Sequence, residues 1–219
     1  MLAIGEDAGR DFETMLSAID GLDTDVVLKT RRIAADRALP PRVRIVREWL
    51  DDRQFRDLYA AARIVVVPLH DVANASGVTA IAEAAAMGLP MVVTETDSTR
   101  NFIVPGETCL AVQRGDVAGM RAAISRLLAE PDLRARLAHN ARSFAEERFG
   151  AEAFAASFAA AVRRHARPRG AARAADTKGL VRPRRFELPQ GFPYQHLKLA
   201  RLPFRHGRKR ASHSLDRCC

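Results

Sequence analysis

The stretch 63-RIVVVPLHDVANASGVTAIAEAAAMGLPMVVTET-96 decides how this chain folds. It opens on residues 64–67, four apolar β-branched residues without alternation, the pattern of a parallel strand buried on both faces. A polar, turn-rich passage follows, with His70, Asp71, Asn74, Ser76 and Gly77. The Ala-rich segment from about 78 to 87 predicts a helix, stopped by Gly88 and Pro90 in the usual order of a helix C-terminus. Residues 90–93 are another short apolar run. Strand, small-residue loop, helix and strand in that order predict one right-handed crossover unit. The loop leaves the carboxyl end of a strand and leads into a helix N-terminus, where free backbone N–H groups and the helix dipole favour an anion. A phosphate site is expected there.

The same alternation extends in both directions. Residues 2–4 predict a strand ending at Gly5, and Phe12, Met15, Leu16 and Ile19 then repeat at helical spacing behind Asp11 as N-cap. Residues 26–28 predict a second strand. Lys29, Arg31 and Arg32 at its carboxyl end are either phosphate contacts or a solvated loop. Pro40 and Pro41 mark a linker before a third strand at 43–46. Trp49 and Leu50 then precede Asp51 and Asp52, which cap a helix with Phe55, Leu58, Tyr59 and Ala62 on its apolar face. Downstream, 94-TETDSTRNFIVPGETCLAV-112 predicts a loop, a short helix capped by Asp97 or Ser98, a glycine turn and a sixth strand at 109–112. Asp116 caps a helix carrying Val117, Met120, Ile124, Leu127 and Leu128. Pro131 opens another helix, and residues 151–161 a last one after Gly150. About six strands alternating with helices predict an α/β domain over residues 1–165, a Rossmann-like, mostly parallel sheet with helices on both faces.

Composition narrows the function classes. Hydrophobic residues make up 47% of 219, as in a soluble globular protein, and no run of about 18 apolar residues is present to span a membrane. The N-terminus has neither the basic region nor the apolar length of a signal peptide. Cys109, Cys218 and Cys219 show no metal spacing and no disulfide framework, so a reducing, cytoplasmic setting is expected, and no metal ligands are. The net charge of +9 is uneven: residues 163–219 hold 16 Lys and Arg against 3 Asp and Glu, leaving 19 against 23 in residues 1–162. From about residue 166 onward Pro and Gly are scattered and no period is sustained, so a disordered or weakly structured basic tail is expected over 166–219. Its cluster 206-HGRKRASH-213, with Phe186, Phe192, Tyr194 and Phe204 nearby, suits contact with nucleic acid or the inner face of an anionic membrane. It equally suits a non-specific extension. The glycine-rich fingerprints of dehydrogenases and P-loop proteins are absent.

The run 76-SGVTAIAEAAAMGLPMVVT-94 resembles the donor-binding signature of the group 1 (family 4) glycosyltransferases, which have the GT-B fold. The resemblance covers residues 2–149 and only the family's C-terminal, nucleotide-sugar-binding half. It implies that Ser76, Gly77, Val78 and Thr79 cradle the diphosphate of a nucleotide-sugar donor and that Glu83 binds the ribose, a vicinal diol that a carboxylate can accept in bidentate fashion. Gly5 would open a loop bringing Arg10 to the diphosphate, at the position where the family usually has Lys, while Glu6 replaces the usual Arg. Trp49 lies where relatives place the base, and either stacks on it or belongs to the core. Asp97, Ser98 and Thr99 would line the sugar end if they do not serve as caps. His70 and Asp71, after the fourth strand, are the candidate catalytic residues, with a structural histidine as the plainer alternative. Ala75 stands where the family usually has a second Glu eight residues before the first.

The resemblance thus implies a hexose transferred from a nucleotide-diphosphate sugar to an acceptor hydroxyl with retained configuration and no cofactor. At 219 residues the chain is short for two such domains, so a separate acceptor-binding domain or chain is expected as partner. Two other readings compete: a nucleotide-binding remnant that transfers nothing, and a nucleic-acid- or membrane-associated protein acting through its basic tail.

Overall fold

The sheet is assembled from short strands that are almost wholly apolar, so each must be covered on both faces. In the computed structural model, which describes residues 1–72 and 74–165, these are β1 (Leu2–Ile4), β2 (Val26–Lys29), β3 (Val43–Val46), β4 (Val65–Val67), β5 (Met91–Thr94) and β6 (Leu110–Val112). All neighbours pair in parallel, in the order β3-β2-β1-β4-β5-β6. The order reverses between β1 and β4. Ligands of open α/β sheets bind at that switch point, outside the carboxyl ends of the strands. The expected Rossmann-like α/β architecture is present, with strand limits shifted by a residue or two. The expected basic tail, residues 166–219, lies outside the described residues.

Helices α1 (Phe12–Ile19), α2 (Asp52–Ala60), α3 (Val78–Ala86), α4 (Val117–Ala129), α5 (Pro131–Arg148) and α6 (Ala151–His165) alternate with or follow the strands. Alternate residues of each strand go to opposite faces of the sheet. Ala3, Val66 and Val92 join Met15, Leu16, Met120, Ile124 and Leu127 in one core, built on α1 and α4. Leu2, Ile4, Val65, Val67, Met91 and Val93 join Tyr59, Ile81, Ala84 and Ala141 in the other, built on α2, α3 and α5. Small residues of α3 (Ala80, Ala84 and Ala85) are buried where it meets the sheet.

The expected caps form. Asp11, Asp51 and Asp116 each accept the backbone N–H three residues on, and Asp51 with Gln54 completes a capping box. One expectation fails. Residues 97–102 are turns, not a short helix, so neither Asp97 nor Ser98 is a helix cap. Thr99 organises the turn: its Oγ1 accepts from Thr96 N at 2.9 Å, while Asp97 pairs with Arg100 and Ser98 Oγ shares a hydrogen bond with Thr96 Oγ1.

Leu137, on α5, is fully buried in the α1–α4 core. Leu137→Ala is expected to lower unfolding free energy by about 2–5 kcal/mol, read by urea denaturation, since lost transfer energy and a residual cavity add.

Candidate functional site

Two loops meet at the switch point. The one after β1 carries Gly5, Glu6, Asp7, Gly9 and Arg10; the one after β4 carries His70, Asp71, Ser76 and Gly77. Backbone bonds join them: Asp11 N donates to Pro68 O at 3.1 Å and His70 N to Gly9 O at 2.9 Å. Arg10 folds back across Gly5, where any Cβ would stand 2.1 Å from Arg10 Nε, so only glycine admits this packing. The Arg10 side chain is 5% exposed. Its Nε donates to Asp7 Oδ2 at 3.2 Å, and its Nη1 is buried without a hydrogen-bond partner.

Beneath it, Tyr59 of α2 donates its hydroxyl to Glu83 Oε2 of α3 at 2.8 Å. Burial holds the Glu83 carboxyl above its ordinary range, although the Tyr59 hydrogen bond and the Arg10 charge both pull it down. Burial, reinforced by Glu83, pushes the Tyr59 phenol well up, so it stays a neutral donor. Burial lowers the Arg10 guanidinium from its usual value, and Asp7 is foremost among the groups opposing that. Arg10 stays a cation, as arginines do in proteins.

Helix α3 begins differently from its capped neighbours. Its N-cap is Gly77, at φ +83, and no side chain caps it. The first N–H groups of Val78, Thr79 and Ala80 therefore point out at the positive end of the helix dipole. An unpartnered guanidinium N–H, an open helix start and a carboxylate in the second turn are thus assembled at the carboxyl end of the central strands. That set can hold an anion at one end and hydroxyl groups at the other.

Gly5, Arg10, Ser76, Gly77, Val78, Thr79 and Glu83 are therefore brought to one end of the sheet. Trp49 follows β3, two strands away from β1, and is 66% exposed, which excludes the core alternative. His70 is half exposed, its Nδ1 3.7 Å from Asp11 Oδ2. Asp71 pairs with Arg114. Lys29 is not a free phosphate contact: it is buried and donates to Glu6 Oε1 at 2.7 Å, while Arg31 N donates to Glu6 Oε2 at 2.9 Å. Arg32 lines a cavity of about 410 Å³ that also meets Arg10, Arg37 and His70. The residues that motif reading missed are Asp7 and Tyr59. Cys109 is no nucleophile, because burial pushes its thiol up to about 12. Among the described residues no group of three His, Cys, Asp or Glu side chains could hold a metal ion, and no helix is long and apolar enough to cross a membrane.

A family model described as "Glycosyl transferases group 1" matches residues 21–130. The chain is 31% identical over 161 residues to the lipopolysaccharide core biosynthesis glycosyltransferase LpsE of Rhizobium meliloti, covering 66% of this chain and 43% of that protein. Sucrose-phosphate synthase from Thermosynechococcus elongatus superposes with a TM-score of 0.61 at 25% identity, over 74% of this chain and 45% of its own. Anabaena Alr3699/HepE, solved with UDP-glucose, shares the fold with a TM-score of 0.59 at 15% identity, over 74% and 48%. The chain thus spans less than half the length of each of these relatives.

Glu83 favours its protonated form on folding. Its contribution to stability is therefore fullest below its ordinary carboxylate value and is lost as pH rises through its raised folded value. Tyr59→Phe removes a hydrogen bond that lowers Glu83, so Glu83 should titrate higher in the variant, as carboxyl NMR would read. Leaving the buried carboxylate without that donor should cost about 1–3 kcal/mol of stability at neutral pH, and less in acid.

Proposed function

Since the chain belongs to the group 1 glycosyltransferases and carries the Rossmann-like fold of their GT-B architecture, we propose that residues 1–165 are the nucleotide-sugar-binding half of such an enzyme. The donor is a nucleoside-diphosphate sugar. Its diphosphate lies against Arg10, Ser76 and the N–H groups of Gly77, Val78 and Thr79. Its ribose hydroxyls donate to Glu83, whose Oε1 accepts no protein hydrogen bond among the described residues. Its base lies against exposed Trp49. The sugar, a hexose, passes to an acceptor hydroxyl with retained configuration, and the departing diphosphate is stabilised by aligned N–H groups and the Arg10 cation rather than by a cofactor. His70, which lines the same cavity as Arg10, would face the transferred group.

One observation carries this reading: the buried, unpartnered Arg10 Nη1 beside an uncapped helix start and Glu83. Solved relatives that share the fold include one bound to UDP-glucose, which adds support. The acceptor is held by another domain or chain. The outer face of α6 suits that partner, since Phe154 and Phe158 stack at 6.2 Å between centroids while 69% and 62% exposed. Ala75, in place of the family's second carboxylate, favours a second reading in which the chain holds a nucleotide and transfers nothing. The protein would work in the cytoplasm, at or near the membrane's inner face.

The test is thermal stability of the purified chain with UDP, GDP, ADP and their sugar conjugates, beside Glu83→Ala. A ligand at about 100 times its Kd should add about 2.7 kcal/mol. A shift with one nucleotide that Glu83→Ala loses is the expected outcome. A cooperative melt unmoved by every nucleotide would overturn the donor site, and glycosyl transfer by the isolated chain would overturn the non-transferring reading.

A further inference from the structure

Asp7 occupies the middle of the site described above. Its Oδ1 accepts from Ser76 Oγ at 2.6 Å and from Gly9 N at 2.9 Å, and its Oδ2 accepts from Arg10 Nε at 3.2 Å. A hydroxyl, a backbone amide and a guanidinium form the donor set that a phosphate oxygen would take. Here a carboxylate of the chain itself takes it. The fit is close: a Cβ on Gly9 would stand 2.6 Å from Ser76 Oγ, so the loop after β1 rests directly on the loop after β4. It is also incomplete. Asp7 reaches only the Nε edge of Arg10, and Nη1 is left buried without an acceptor. The two partners differ in access, since the Arg10 side chain is 5% exposed and that of Asp7 39%. Arg10 lies in its slot across Gly5, whereas Asp7 is partly open to solvent.

We propose that Asp7 is an internal competitor for the donor diphosphate, a carboxylate that a phosphate displaces from Ser76, Gly9 and Arg10 as the donor binds. The proposal rests on the donor-site reading above and adds what sets its affinity. Every nucleotide that enters must first release a charged side chain from three hydrogen bonds, and a diphosphate bears more acceptor oxygens than the carboxylate it replaces. The carboxylate keeps its charge in the neutral range. Burial alone would raise it, but Ser76, Arg10 and the Gly9 amide together outweigh burial and hold it below its ordinary value.

Binding of UDP, GDP and ADP, and of uridine, guanosine and adenosine, to the full chain by calorimetry tests this, with Asp7→Asn and Asp7→Ala beside the unaltered protein. Asp7→Asn keeps the side chain's shape and removes its charge. Both variants should bind the preferred diphosphate at least tenfold more tightly, with affinity for its nucleoside unchanged. Equal or weaker diphosphate binding by Asp7→Asn, with the unaltered chain still binding, would overturn the competitor and leave the donor site standing. Loss of affinity for nucleotide and nucleoside alike would make Asp7 a clasp between loops and nothing more. Absence of binding by the unaltered chain and by Asp7→Asn would overturn the donor reading and the competitor with it. A readout that needs no variant is the Asp7 carboxyl in the unaltered chain, followed by NMR. It should titrate higher when saturated with the diphosphate and not with the nucleoside; an unmoved titration would also overturn the proposal.

Discussion

Burial of the Arg10 guanidinium is the constraint to which this end of the sheet answers. Taking an ion from water costs several kcal/mol even after relaxation, and Arg10 is all but removed from solvent. Its surroundings read as the compensation. Gly5 leaves room for the guanidinium to lie along the backbone, Asp7 pairs with Nε, and Glu83 supplies negative potential from α3. The compensation stops one hydrogen bond short, at Nη1. A structural arginine would be expected to finish its hydrogen bonds, because an orphaned buried donor is costly. A ligand-binding one need not, since the ligand brings the missing acceptor.

The framework around this cation was legible in the residues because it follows from period and punctuation. Unalternated valines between turn residues can be satisfied only by covering both faces, and Asp11, Asp51 and Asp116 mark helix starts through hydrogen bonds three residues long. The candidate site was legible on α3 and just before it, from Ser76 to Glu83, and at Gly5 and Arg10 in the loop after β1. Tyr59 shows what period conceals. Its spacing with Phe55 and Leu58 places it on an apolar face, and its ring is indeed core, yet its hydroxyl crosses to Glu83, 24 residues away. The pairing of Glu6, in the loop after β1, with Lys29 at the end of β2 is hidden in the same way. The turn at 97–102 misled for another reason: Asp and Ser head turns as readily as helices, and Thr99 held this one shut.

Charge placement shows why a cation count would misjudge the site. Lys29, Arg31 and Arg32 cluster at the carboxyl end of β2, but Glu6 takes the Lys29 ammonium and the Arg31 amide. Burial pushes the Glu6 carboxyl up, and Lys29 and Arg31 together more than reverse that. The resemblance implies an arginine at the position of Glu6, which here instead pairs with Lys29 at the end of β2. With Asp7 on the same loop, the entrance is lined by carboxylates as much as by cations. The proposed anion site would thus rest on geometry, a guanidinium in a slot and N–H groups in a row, more than on net charge.

The start of α3 completes this economy of means. Ending the preceding loop with an aspartate, as α1, α2 and α4 do, would satisfy the first N–H groups and set a negative charge where an anion should dock. Glycine at the N-cap leaves those donors open at only a few tenths of a kcal/mol relative to a polar cap. Its positive φ also turns the chain so that Ser76 faces the β1 loop while α3 runs on to place Glu83 beneath Arg10. The same residue that keeps the helix start vacant therefore positions the hydroxyl on one side of it and the carboxylate on the other. In the proposed donor site the anion end and the hydroxyl-binding end are both carried by α3, so one helix sets the distance between them.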